Sequence, residues 1–467
     1  MSAVQDASLE DDVVDDASAR HLAELQTTSQ YHLEMSLKSA ADLAAIGRRR
    51  LGKGVSRITE LVWERGQGSW LYSADGQKFL DFTCGIGVTN LGHCHPAVTK
   101  AAQKQCGQLV HAQCNLGYHH PQITLMEKLL PVMPHKSLDT FVFVNSGSEA
   151  VEASIKLARH ATKKQNIIVM QGAFHGRTVA TMAMSRSKTI YSAGFGPLMP
   201  GVFAVPFPYH YHHRKMSLEE CCDDAIQQLK ILVRQQSAPG DTAALIIEPV
   251  LGEGGYVPVP KAYFQQLQDI CEENKILLIA DEVQSGFGRT GKYFAVEHSG
   301  VRPDIMVMAK GIANGYPLSA IVSRKDLMDT QTPGSMGGTY SGNAVACAAG
   351  VACADVMKEE RILDNVNARG AQLTAGLEEL RQHPKLAPLI GDIRGLGLMI
   401  ALEFSKAAPA NFASQVQQAC IHNGMIILTT SVFETLRFIP PLNISENEMK
   451  LGLEIFKKSF MEAVGKL

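Results

Sequence analysis

The sequence predicts an α/β protein: a large domain built on a mainly parallel sheet flanked by helices, with a smaller α+β domain assembled from both chain ends. Three observations predict it. From about residue 106 onward, helical and apolar strand-like runs alternate, as in "DTFVFVNSGSEAVEASIKLARHA", "NIIVMQGAFHG" and "YFQQLQDICEENKILLIADEVQ". Runs such as "ALIIEP" and "ILLIADE" are apolar throughout instead of alternating, which is how strands covered on both faces read. Past about residue 345 the pattern changes to long helical stretches, then short strands in "IRGLGLMIALEF" and "LRFIPP" and a closing helix.

In chain order, residues 1–50 read as a polar, partly helical arm, and 51–105 as the first part of the smaller domain. Within the latter, Ala74-Asp75-Gly76 separates two short strand-like runs, a hairpin signal. Residues 106–344 form the large domain and 345–467 return to the smaller one. No repeat of fixed period interrupts this order.

The 467 residues carry 44 basic and 46 acidic side chains, a net charge of −2, so there is no basic field to draw the chain to nucleic acid or an acidic membrane. With 45% hydrophobic and 19% charged residues the composition is that of an ordinary globular protein. No apolar stretch of roughly 20 residues suggests a membrane span. The acidic start "MSAVQDASLEDDVVDDASAR" has neither the apolar core of a signal peptide nor the basic character of a transit peptide. Ten scattered cysteines form no paired C-x-x-C pattern, so neither a zinc site nor a disulfide framework is expected; a reducing compartment, the cytoplasm by default, fits. The segment "PFPYHYHHRKMSLEECCDD" contains His210, His212 and His213, but no carboxylate or cysteine stands at a settled ligand spacing. A solvated loop and no metal are expected there.

Chemistry concentrates at four strand ends, the place where open α/β sheets bind ligands. After "FVFV", Ser146, Gly147 and Ser148 open a helix, so free N–H groups and the dipole can seat an anion such as phosphate. The alternative is a plain helix start, with Ser146 and Glu149 as a capping box. "ILLIADE" ends in Asp281 and Glu282, which point to opposite faces and need different partners, or else mark a surface turn. "DIMVMAKG" ends in Lys310, either a snorkelling lysine or one whose burial favours a neutral, nucleophilic amine able to form a Schiff base. Gly311 beside it leaves room for backbone to approach a ligand. "GAFHGR" offers Phe174 as a cover for a planar ring, His175, and Arg177 as a carboxylate grip. Together these are the parts that pyridoxal 5'-phosphate (PLP) requires: phosphate anchor, ring-nitrogen partner, aldehyde partner and ring cover.

The order of the motifs "GIGVTNLGHCHP", "NSGSEAVEASIKLAR", "GAFHGRT", "IIEPVLGEGGY", "LIADEVQSGFGRTG", "PDIMVMAKGIANGYPLSA", "GTYSGNAVACAAG" and "LRFIPP" resembles the class III aminotransferases, the ω-aminotransferase subgroup of fold-type I PLP enzymes. The resemblance implies roles residue by residue. Lys310 would be the Schiff-base lysine and proton carrier, and Asp281 the partner of the pyridine nitrogen. Val283 and Phe174 would face the two sides of the ring, with Gln284 on its phenolic oxygen. Ser146, Gly147, Ser148 and His175 would complete the cofactor seat. Thr339 in "GGTYSGN" would reach the phosphate of a neighbouring subunit, implying a homodimer or dimer of dimers.

For the substrate, the resemblance implies that Arg177 grips one carboxylate and that Arg437 receives the α-carboxylate of glutamate or 2-oxoglutarate. Glu253 would neutralise Arg437 when an amine without an α-carboxylate binds. Ile86 stands where ornithine-specific relatives carry a tyrosine. The family thus implies transfer of the terminal amino group of an ω-amino acid, 4-aminobutyrate first, to 2-oxoglutarate. N-acetylornithine, ornithine or diamine transamination are the alternatives within the class; a PLP decarboxylase, an aminomutase or a non-catalytic binding protein are those outside it.

Overall fold

The computed structural model describes residues 38–466, so the expected N-terminal arm lies in greater part, over 1–37, outside the described residues. Backbone contacts group the chain into two units, one running to Arg65 and taking in Leu71–Lys78, the other holding Gly66–Trp70 and everything from Phe79 onward. In the first, helix Ala40–Arg50 starts at a reciprocal Ser39/Asp42 capping box and ends on Arg48, Arg49 and Arg50, charges that suit the two ends of its dipole. The turn foreseen at Ala74-Asp75-Gly76 is present: Gly76 takes φ +81° and the Ser73 N–H donates to the Gln77 carbonyl at 3.0 Å.

The second unit is organised by a seven-stranded sheet. Its strands are β1 (Thr140–Val144), β2 (Asn166–Met170), β3 (Val202–Val205), β4 (Thr242–Ile247), β5 (Leu277–Asp281), β6 (Ile305–Met308) and β7 (Ser319–Ser323). Their order is β1-β7-β6-β5-β4-β2-β3. Six strands share one direction, and β7 alone runs against both its neighbours.

Why the central strands read as unbroken apolar runs follows from their two covers. Every residue of β4, β5, β6 and β7 is buried. Val169, Ile246, Ile279 and Ile305 fall in register across β2, β4, β5 and β6 and pack with Val151, Ile155 and Ala158 of helix α1 (Gly147–Thr162). Their neighbours Ile168, Leu245, Leu278 and Met306 face the other way, into a core that includes Leu229 and Phe264 of helices Leu218–Gln235 and Lys261–Glu273. Each such side chain contributes roughly 1.5–3 kcal/mol on burial, so neither face tolerates the polar alternation of a half-solvated strand.

A second, antiparallel sheet follows, with β8 (Ile390–Leu396), β9 (Met399–Phe404), β10 (Leu428–Thr430) and β11 (Thr435–Phe438) in the order β8-β9-β11-β10. Leu80 and Asp81 register in parallel with Met425 and Ile426, joining an early segment to this late region. Among the described residues no helix is long and apolar enough to cross a membrane.

Candidate active site

Because β1, β2, β4, β5 and β6 run the same way, their C-terminal ends open on one edge of the sheet. A cavity of about 300 Å³ lies there, lined by residues from each of those ends, among them Ser148, Phe174, Glu248, Asp281, Val283 and Lys310.

The helix start on its wall is tightly built. Ser146 caps α1, its Oγ accepting the Glu149 N–H at 3.3 Å. Glu149 does not close the reciprocal box: its carboxylate takes the Asn145 N–H (2.7 Å) and Nδ2 (3.0 Å) instead. Ser148 Oγ accepts the Arg177 N–H at 3.2 Å, tying the helix start to the "GAFHGR" loop. A Cβ on Gly147 would lie 2.9 Å from Val283 Cγ1, and one on Gly176 only 2.2 Å from Ser148 Oγ. Only glycine leaves this wall open.

Asp281 and Glu282 do serve different partners. Asp281 Oδ2 bonds His175 Nδ1 at 2.7 Å and Oδ1 accepts the Val283 N–H at 3.0 Å. Glu282, fully buried, accepts from Ser285 Oγ (2.5 Å) and the Val296 N–H (2.8 Å). Its carboxyl is pushed up to about 7 by burial. His175 Nε2 is buried with no hydrogen-bond partner among the described residues. Glu248, whose segment "IIEPV" is part of the motif set, is a further member that carries no role in the sequence reading. Its oxygens accept the N–H groups of Phe174 (2.8 Å) and Gly252 (2.9 Å), and burial pushes it up to about 7, with His175 opposing and Asp281 adding.

Lys310 follows β6 in a left-handed conformation, φ +52°, and is half-buried. Burial draws its ammonium below the ordinary lysine range, against the pull of Glu253. Gly311 corrects the sequence reading: a Cβ there would lie 2.2 Å from Asn90 Nδ2, so the glycine makes room for that buried amide and not for a ligand. Asn90 in turn holds the Phe287 carbonyl (3.1 Å) and the buried Arg289 (2.8 Å). Gln284 accepts the Tyr256 hydroxyl at 2.7 Å.

The residues that the resemblance assigns to the substrate lie outside the lining of this cavity. Arg437, on β11, and Glu253, on the turn of a ribbon formed by Val250–Leu251 and Val257–Pro258, form an ion pair of 2.5 Å at 4% and 8% exposure. Burial opposes both charges and each supports the other, leaving Glu253 below the usual carboxylate range and Arg437 raised. The Tyr191 hydroxyl donates to the other oxygen of Glu253 at 3.1 Å. Arg177 is exposed, its guanidinium carbon 4.7 Å over the Tyr191 ring. Ile86, at φ +68°, is exposed. Thr339 is exposed and lines a different cavity of about 370 Å³, beside Asn145, Glu149 and Lys156.

The histidine segment is solvent-exposed at His210, His212 and His213, as expected of a solvated connection, and it also takes on local structure. His210–His213 forms one helical turn, and Ser217 starts helix Leu218–Gln235 with a capping box. His212 Nε2 pairs with the buried Glu403 at 2.8 Å and its ring stacks on Phe433 with centroids 3.6 Å apart. Among the described residues no group of three or more His, Cys, Asp or Glu side chains is placed to hold a metal.

Comparison with known proteins decides the family. The sequence model of Aminotransferase class-III matches residues 52–460. This chain belongs to the class III aminotransferases. The 5-aminovalerate aminotransferase of Pseudomonas putida is 39% identical over 88% of this chain and 96% of its own length. The 4-aminobutyrate aminotransferase of Escherichia coli is 38% identical over 91% of this chain and 100% of its own. Among solved structures, the ornithine aminotransferase of Toxoplasma gondii, described with partial occupancy of PLP at its active site, superposes with a TM-score of 0.82 at 27% identity, covering 94% of this chain and 98% of that one. As a class III aminotransferase, the chain has the mixed α/β architecture of these neighbours.

Proposed function

We propose that this class III aminotransferase uses PLP to move the terminal amino group of an ω-amino acid, 4-aminobutyrate first, to 2-oxoglutarate, giving a semialdehyde and glutamate. The observation that carries the reading is the buried Arg437–Glu253 pair. A buried Arg437 without a carboxylate beside it is costly, so Glu253 would supply one while the ω-amine is bound and the α-carboxylate of the dicarboxylate would supply it in the other half-reaction. Relatives at 39% and 38% identity are named for 5-aminovalerate and 4-aminobutyrate, so identity does not choose the length of the amine.

The residues present fit PLP. Phe174 and Val283 both line the cavity, and the glycines at 147 and 176 stand where any Cβ would intrude. Ser146, Gly147 and Ser148 would hold the phosphate on the N–H groups of the helix start. When bound, the cofactor supplies an electron sink for the carbon that loses a proton. Asp281, oriented by His175 and the Val283 N–H, would keep a proton on the ring nitrogen. Gln284 would donate to the phenolic oxygen. Lys310, its amine disposed to neutrality by burial, would take the proton from the substrate carbon and return it. Arg177 would hold the distal carboxylate of either substrate, and Glu253 would neutralise Arg437 while the ω-amine is bound. Ile86 stands where ornithine-specific relatives carry a tyrosine, which favours the other ω-amino acids.

We further infer a homodimer or dimer of dimers in which Thr339 serves the neighbouring site, supported by its exposure away from Lys310 of its own chain. We also place its work in the cytoplasm, supported by ten cysteines that are all free. The test is purified PLP-loaded protein given 2-oxoglutarate with 4-aminobutyrate, 5-aminovalerate, β-alanine, N-acetylornithine, ornithine or a diamine. Glutamate formation is expected fastest with one of the first three. Activity confined to the last three, release of CO2, or amino transfer within one molecule would replace the reading.

A further inference from the structure

Tyr191 lies outside every motif that carries the family resemblance, yet it touches three parts of the proposed site. Its hydroxyl donates to Glu253 Oε2 at 3.1 Å while Arg437 Nη1 holds Oε1 at 2.5 Å. Its ring meets Phe174 edge-on, with centroids 4.9 Å apart and planes at 67°. Arg177 lies over the same ring.

A gate made of a buried ion pair has a physical difficulty. When a dicarboxylate presents its α-carboxylate to Arg437, Glu253 must let go, and at 8% exposure it has little water to turn to. A carboxylate left without a partner inside a protein is costly enough to hold the gate shut. Here the two oxygens of Glu253 have separate donors, so release from Arg437 leaves the Tyr191 bond intact. Lys188, immediately before the Thr189–Tyr191 turn, is a second cation whose charge acts on Glu253. The Tyr191 hydroxyl, pushed up to about 12 by burial and by Glu253, remains a donor throughout the working range.

We propose that Tyr191 is the hinge of the gate: it retains Glu253 through Oε2 while the α-carboxylate of glutamate or 2-oxoglutarate occupies Arg437. It is a positioning residue that sets the balance between the dicarboxylate and ω-amine half-reactions. The inference rests on the gated reading above and deepens it.

Tyr191→Phe removes only the hydroxyl and keeps the ring against Phe174 and Arg177. Single-turnover half-reactions of the PLP-loaded enzyme with glutamate and with 4-aminobutyrate are compared. The ratio of their kcat/KM values is expected to move about tenfold against glutamate, with the change in KM, in line with the loss of a hydrogen bond to a charged group. In a Glu253→Ala background the same substitution leaves the ratio where it was. An unchanged ratio, or a shift that persists without Glu253, overturns the hinge in an enzyme that still processes both substrates. A wild type that takes glutamate and no ω-amine overturns the functional reading, and the hinge with it.

Discussion

Lys310 holds φ +52°, a conformation that costs a residue with a Cβ roughly 1–3 kcal/mol, and its amine is drawn away from the charged form by burial. Both features are unfavourable to the protein without cofactor and would serve the neutral amine proposed for Lys310. Lys310→Met is therefore expected to lose at least about 100-fold in turnover while the cofactor-free variant melts no lower than cofactor-free wild type. Calorimetry of the two apo proteins checks this; a clearly lower Tm for the variant would show that the lysine is structural. At this scale the sequence showed residue types and strand ends, so Lys310, Asp281 and Phe174 were legible as one set, while Val283 entered only through the family resemblance. Tyr191 and Glu248 were not, because their roles come from long-range pairings: Tyr191 to Glu253 across 62 positions and Glu248 to the Phe174 N–H across 74. Gly311 was misread for the same reason, since Asn90 is far from it in sequence.

Among the elements, the start of α1 carries the most local information. Its Ser146 cap is written in the sequence, but the diversion of Glu149 to Asn145 is decided by where β1 ends. Gly147→Ala places a methyl group against Val283 and is expected to cost about 1–3 kcal/mol and to loosen cofactor retention, measured by dialysis against buffer and residual cofactor absorbance. On the antiparallel sheet, Arg394 joins β8 to the ribbon that carries Glu253. It pairs with Asp392 and Glu403 at 2.9 Å each and donates to the Gly255 carbonyl, two residues beyond Glu253. Arg394→Ala removes the cation from the buried Glu403 and is expected to destabilise by about 3 kcal/mol, read from urea unfolding, more than His212→Ala. The sequence could not show that the histidine segment joins this network, because His212 and Glu403 meet only once the second sheet has formed.

For the whole molecule, stability against pH follows from carboxyls shifted in opposite directions. Glu282, raised to about 7, binds its proton more tightly folded than unfolded, so its contribution is lost as pH rises from the ordinary glutamate range through about 7. Glu253 and Glu403 are held low, so theirs is present above that range and is lost as pH falls through it. Glu282→Gln is thus expected to gain on wild type between pH 5 and pH 8 by up to about 3 kcal/mol, seen as a Tm difference that grows with pH. A constant difference would place the Glu282 proton elsewhere. The alternation of runs and the apolar strands made the sheet readable in advance, down to a mainly parallel order; the reversed β7 was not, since "SAIVS" is buried throughout like the central parallel strands and nothing in it marks direction. The central claim, that Arg437 receives an α-carboxylate and Glu253 stands in for one, is tested most directly by single-turnover half-reactions of Arg437→Ala beside wild type. The account predicts that glutamate loses at least about 100-fold in kcat/KM and 4-aminobutyrate much less. An Arg437→Ala enzyme that keeps glutamate and loses 4-aminobutyrate would contradict it.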